Sequence, residues 1–303
     1  VPNIKTEQSV GMAGYFTIKK FDENGEQNGQ WEFKNLILNQ GLDRIATNGD
    51  YLYYCYVGSG NATPAVTDTT LQSQIASVYD SSNGTYGNNG VSPYYWWRKK
   101  TYAFGQGVAA GNISEIGIGW VGNALFSRAL ILDEFGNPTS ITILSNELLT
   151  VDYEIRVYPK LTDDIGTVVF TGSKGGSYDW IFRTASANSI DWVSSYIPYA
   201  YINFTSTGHD DRHASGDIGS VTSVPSGIVD TNTIPTIQPY VPGSYESVAT
   251  TSFSISQANF AGGVRSLYII RGFGMYQIQF DPAIPKEDTD TLSITYTIKW
   301  GRI

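Results

Sequence analysis

The sequence predicts an all-β chain: two tandem antiparallel β-sandwich-like domains with short helices and one long irregular arm. Three observations lead there. Tyr, Phe and Trp make up 14% of the 303 residues, beside abundant Gly, Thr and Asn, a mixture suited to short strands and tight turns. Large apolar residues alternate with small polar ones along Thr291–Trp300 and again along Leu149–Val157, the period of a half-buried antiparallel strand. The helix candidates each stop within about three turns, so helices decorate the sheets and do not organise them.

From the N-terminus, Gly14–Phe21 and Trp31–Phe33 flank the turn cluster Asp22-Glu-Asn-Gly25, which predicts a hairpin. Asn35–Ala46 leads into one short helix, and Asp68 is placed to cap a second over Asp68–Ala76. Ser81–Pro93 carries Asn83-Gly84, Gly87 and Asn89-Gly90 with little apolar content, as a long loop or hairpin tip does. The two alternating runs lie 143 positions apart (149 to 292), and Gly111–Ile118 resembles Gly262–Ile269 at an offset of 151 (111 to 262). Matched signatures in one order predict tandem β-domains, with a boundary near Pro159 to Ile165, giving units 1–160 and 161–303. Thr207–Ser244, with Pro225, Pro235, Pro239 and Pro242, has no usable period and reads as an arm, a linker or a binding loop; one that orders only against a neighbour would suit an assembled particle.

Charge narrows the function classes. With 19 basic and 28 acidic residues the net charge is −9, so no positive field exists to hold a phosphate backbone, and nucleic acid is not an expected partner. No apolar run reaches signal-peptide or membrane-span length, and Cys55 has no partner for an intrachain disulfide, so the expectation is a soluble protein made in a reducing cytoplasm.

Chemistry-bearing patterns are sparse. His209-Asp-Asp-Arg-His213 holds both histidines, but i, i+4 spacing suits a metal only on a helix, and Gly/Ser-rich sequence follows it. Glu115 and Glu154 sit in strand-like surroundings, and Asp133-Glu134 and Asp163-Asp164 at turns; nothing marks any of them as a glycosidase pair. Gly172–Ser177 lacks the Gly-Lys-Ser/Thr of a phosphate loop, Asp288-x-Asp290 lacks a full calcium loop, and Cys55 reads as a small buried hydrophobe. No catalytic residue, metal or cofactor is therefore expected. The most unusual string is Tyr94-Tyr95-Trp96-Trp97-Arg98-Lys99-Lys100. Tyr94, Tyr95, Trp96 and Trp97 are either stacking platforms for sugar rings or bases, or a strand with alternate aromatics in the core and their neighbours at an interface.

Four strings carry a family resemblance: Trp31–Asp43 (WEFKNLILNQGLD), Val57–Leu71 (VGSGNATPAVTDTTL), Ile113–Ile118 (ISEIGI) and Leu125–Ala129 (LFSRA). In this order they resemble a family of bacteriophage virion proteins found among tail and tail-fibre-associated components, and Phe280–Lys286 is similar to endings of phage structural proteins. The resemblance covers residues 14–158 and about 262–302. It implies a non-enzymatic virion component of tail, neck or fibre attachment, made in the host cytoplasm and assembled in multiple copies. Its implied partners are other copies of itself and other phage tail or neck proteins. A receptor-binding module for host surface glycan is the alternative, and a glycan depolymerase a more distant one.

Overall fold

The computed structural model describes residues 3–4, 8–47, 51–171, 175–192, 210–229, 233–271 and 273–303. In chain order its strands are β1 (Asn3–Ile4), β2 (Ser9–Phe21), β3 (Gln27–Lys34), β4 (Leu36–Ile37), β5 (Tyr54–Gly58), β6 (Gln74–Tyr79), β7 (Thr85–Asn89), β8 (Tyr95–Phe104), β9 (Gly111–Ile113), β10 (Glu115–Trp120) and β11 (Ala124–Leu130). They continue with β12 (Ile141–Ile143), β13 (Leu148–Pro159), β14 (Asp164–Phe170), β15 (Gly176–Ala185), β16 (Asp211–Ala214), β17 (Thr236–Ile237), β18 (Glu246–Phe253), β19 (Val264–Arg271), β20 (Gly274–Ile284) and β21 (Leu292–Arg302). Strand accounts for 54% of the described residues and helix for 4%, so the all-β, sandwich-like reading holds.

The strands form a nine-stranded sheet ordered β17-β18-β21-β2-β13-β8-β7, with β1 on β21 and β3 on β2. Two five-stranded sheets follow the orders β4-β11-β10-β5-β6 and β14-β15-β20-β19-β16, and β9 pairs with β12. Besides a small cluster of Leu38, Tyr56, Leu71 and Leu125, two hydrophobic cores lie between layers. One is built from residues 10–157 together with Trp192, Phe273 and Trp300. The other draws only on residues between Val168 and Ile298. The nine-stranded sheet joins the two halves through the parallel pairing of β2 with β21.

The first hairpin forms as its turn residues dictate. Asp22 Oδ1 accepts the N–H groups of Asn24 and Glu26, and Gly25 supplies the left-handed φ of +83° that closes the β2–β3 connection. The hairpin at Ser81–Pro93 is β7 paired with the start of β8. There the Trp97 ring lies so close over Gly87 that a Cβ on Gly87 would come within 2.6 Å of it.

The two halves repeat one pairing plan. The antiparallel pairs β4·β11, β5·β10, β10·β11, β7·β8 and β8·β13 recur, in the same chain order, as β15·β20, β16·β19, β19·β20, β17·β18 and β18·β21. The register agrees with the sequence offsets: Leu149 faces Phe104 as Leu292 faces Phe253, and Ile116 faces Val57 as Leu267 faces His213.

One expectation is corrected. Asp68–Ala76 is not helical, and Asp68 caps nothing; α1 (Asn39–Ala46) is the single α-helix among the described residues. Residues Gln74–Tyr79 pair with β5 as β6, because ladder pairing with β5 outweighs the local N-cap signal. The described part of Thr207–Ser244 is ordered against its own chain. β16 is buried beside β19, and Gln277 Oε1 and Gln279 Oε1 accept the N–H groups of Gly219 and Ile218 across the outer face of β20. Tyr240 stacks on Trp300 at 5.6 Å between ring centroids.

Candidate functional site

Three of the four strings that carry the family resemblance converge on one buried clasp. Glu115, fully buried at the start of β10, accepts Arg128 Nη2 at 2.8 Å and Arg128 Nε at 3.0 Å from β11. Its two oxygens also take the backbone N–H groups of Gly60, Gln72 and Ser73, at 3.0, 3.1 and 2.7 Å. Arg128 completes its fork on the Asp68 carboxylate at 2.6 Å and the Ala62 carbonyl at 3.0 Å. A Cβ on Gly60 would lie 2.3 Å from Glu115 Oε1, so only glycine lets the loop close onto the carboxylate. Residues 59–73 are thereby fastened to the sheet without regular structure of their own.

The Trp31–Asp43 string fastens the other end of the chain. Asn35 Nδ2 donates to the buried Tyr153 hydroxyl, and Asn39 Oδ1 accepts Arg302 Nη2 at 2.6 Å. Gly41 packs so tightly under Phe126 that a Cβ would sit 2.3 Å from its carbonyl oxygen. The Leu42 carbonyl accepts Trp300 Nε1, and Asp43 Oδ1 accepts the Tyr240 hydroxyl and the Gly243 N–H. Arg302, Trp300, Tyr240 and Gly243 belong to the second half, so this string locks α1 to β21 and to the described end of the arm.

A second buried network lies in the second half, between β16, β18, β19 and β21. Asp211 Oδ2 accepts Arg271 Nη2, the Tyr296 hydroxyl and the Thr251 hydroxyl. Burial pushes its carboxyl up to about 7, against the opposing pull of Arg271. That raised acid is wholly buried among these partners. His213 packs against Phe253 and Phe260, each with its ring centroid 5.3 Å away, which makes it a core aromatic; His209 lies outside the described residues. Burial first, and Lys286 second, hold the imidazole below its ordinary value of 6.5. Below pH 6.5 the unfolded chain takes up a proton that the folded chain refuses, so folding weakens as pH falls through that range. Chemical unfolding at and below pH 6.5 is expected to show wild type losing stability relative to His213→Phe; parallel curves would refute this.

The Tyr94–Trp97 string straddles the nine-stranded sheet. Trp96 points inward and is buried in the first core, stacked with Tyr86 at 6.1 Å. Arg98 and Lys100 also point inward: Arg98 Nε donates to the Asn83 carbonyl, and Lys100 Nζ binds the Asp80 carbonyl and carboxylate. Tyr95 and Trp97 face outward and are half-buried, as is Tyr94 just before the strand. On that outer face the Arg156 guanidinium lies 4.4 Å from the Tyr15 ring centroid and 4.9 Å from that of Tyr95, and Tyr95 packs 5.3 Å from Tyr158. Beside them Tyr15, Glu32, Lys34, Lys99, Glu154 and Arg156 line a shallow depression of about 280 Å³.

Five of the other acids that the sequence offers are engaged. Glu154 pairs with Arg156 at 2.6 Å, Asp164 with Lys160 at 2.5 Å, and Asp163 with Arg183. Asp133 Oδ1 takes the N–H groups of Phe135 and Asn137, and Asp290 that of Glu287. Burial pushes the Cys55 thiol well up, away from reactivity. Gly176 and Ser177 begin β15, while Gly172, Ser173 and Lys174 lie outside the described residues. Among the described residues no three His, Cys, Asp or Glu side chains gather to hold a metal ion, and no helix is long and apolar enough to cross a membrane.

No protein-family model, curated protein or solved structure matches this chain.

Proposed function

We propose that the chain is a non-enzymatic structural component of a bacteriophage particle, in the tail, neck or fibre-attachment region, assembling in multiple copies through strand edges and aromatic faces. The observation that carries this reading is the Glu115–Arg128 clasp. The residues that give the chain its resemblance to virion proteins, namely Gly60, Asp68, Glu115 and Arg128, spend their polar groups on one another and on loop backbone. What these strings encode is therefore an architecture, and the resemblance is one of building plan. The partners are other copies of the chain and neighbouring tail or neck proteins. Quantitative mass spectrometry of purified particles is expected to find the chain at a fixed multiple of copies per particle. Its absence from particles produced in cells that express it would refute the proposal.

The outer face of the nine-stranded sheet favours a second reading, a module that binds host surface glycan. Half-buried Trp97 and Tyr158 lie on this face beside the stack of Tyr15, Arg156 and Tyr95 and next to Glu154, a combination of aromatic surface and hydrogen-bonding groups that suits sugar rings. Host polysaccharide that binds wild type and Trp97→Ala equally well, or neither, would remove it.

A further inference from the structure

We propose that β14 is the edge through which two copies of this chain pair, antiparallel and about a two-fold axis passing beside Thr167. The inference sharpens the multi-copy part of the reading above and rests on it for its biological setting, though not for its geometry. A strand at the end of a sheet leaves a row of backbone N–H and C=O groups unpaired, and folded proteins blunt such edges with charges, bulges, prolines or shortness. The other edges of the described sheets show these devices. β4 and β17 are two residues long, and β16 is four residues long and bridged along its free side to Thr233 and Ile228. β3 carries Glu32 and Lys34 and a register shift, and β6 is shifted against β5 between Val57 and Gly58. β7 is five residues long and centred on Gly87.

β14 has only one of these, the charge of Asp164 at its first residue. Its seven residues, Asp164-Ile-Gly-Thr-Val-Val-Phe170, pair with β15 in unbroken register and contain no proline, lysine or arginine. Outward from the sheet it presents Ile165, 75% exposed, Thr167, and Val169, 64% exposed. Two branched apolar side chains left in water on a regular edge strand are what a neighbouring strand covers.

The order of these residues points to a second copy as the occupant. Exposed apolar, Thr, exposed apolar is symmetric about Thr167. Antiparallel pairing centred there places Ile165 opposite the partner's Val169 and Thr167 opposite the partner's Thr167. Asp164, the one charged residue of the strand, then meets the partner's Phe170, and its charge is already matched by Lys160 at 2.5 Å. A parallel arrangement would set Asp164 against its own copy, which costs energy. The two five-stranded sheets become one continuous sheet across the axis, the isologous arrangement commonest among homodimers.

Light scattering on the size-fractionated full chain tests the idea, together with engineered cysteines. Wild type is expected at twice 33.2 kDa. Val169→Lys is expected to halve that mass with an unchanged circular dichroism spectrum. Cys55 is the single cysteine and is buried, so an introduced thiol reports alone. Opposed residues in an antiparallel pair have Cα atoms about 4.5–5.5 Å apart, within disulfide reach. Thr167→Cys is therefore expected to cross-link to its own copy under mild oxidation. Ile165→Cys is not, because the two copies of residue 165 would lie about 13 Å apart along the strand. A monomeric wild type, a Val169→Lys chain of wild-type mass, or equal cross-linking at 165 and 167 would each overturn the proposal. Any of these would leave membership of the particle standing, whereas absence from particles would overturn the functional reading and not the dimer.

Discussion

Arg128→Met is expected to lower the unfolding free energy by about 3–5 kcal/mol, the cost of stranding one partner of a buried ion pair. Glu115 is completely buried, and with Arg128 gone its charge keeps only the three loop N–H groups as partners. Asp68 and the Ala62 carbonyl lose their donors in the same step, which releases the far side of the loop. Glu115→Gln leaves the mirror problem, an arginine 3% exposed whose remaining carboxylate is Asp68. The double variant is expected to cost clearly less than the sum of the two single variants, since removing both charges removes the mismatch. Urea unfolding of the four proteins checks this, and additive losses would contradict a direct pair.

The second large effect separates two neighbouring tryptophans. Trp96→Ala is expected to cost about 3–5 kcal/mol, because it opens a cavity in the first core. Trp97→Ala, one residue along, is expected to cost about 1 kcal/mol, because that ring lies on the outer face and loses mainly its contact with Gly87. The difference comes from strand geometry alone: successive side chains leave the sheet on opposite faces. Equal losses in the same unfolding assay would mean that β8 sits in another register.

Alternation made most of the strands legible. Leu149–Val157 and Leu292–Trp300 both fall inside strands of the nine-stranded sheet, and their offset survives as equivalent register against Phe104 and Phe253. The period of two is imposed by the backbone itself, so it shows through without any partner being known. What depends on partners was harder to read. Glu115 looked like one acid among several, since its link to Arg128 exists only once β10 and β11 pair and the loop before β6 folds over them. A charged residue within an otherwise apolar strand was the available signal. Arg98 and Lys100 pass for solvent-facing cations in a charged run, yet the segment Asp80–Asn83 supplies the oxygens that let them point inward. Asp68 followed by Thr-Thr-Leu has the form of a helix start, but its carboxylate is taken by Ala65 N–H and Arg128 instead. The arm showed no period because it is held by bridges, single hydrogen bonds and ring contacts, which leave no repeating mark on a sequence.

The functional reading depends on the resemblance-bearing strings forming a permanent clasp, and amide hydrogen exchange resolved to single residues tests that most directly. The N–H groups of Gly60, Gln72 and Ser73 lie in irregular loop, yet each is bound to the buried Glu115 carboxylate. They are expected to exchange as slowly as the strand amides of β10, and to speed up together in Arg128→Met. Exchange at the rate of an unstructured peptide in the wild-type chain would contradict the clasp, and with it the architectural role assigned to these residues.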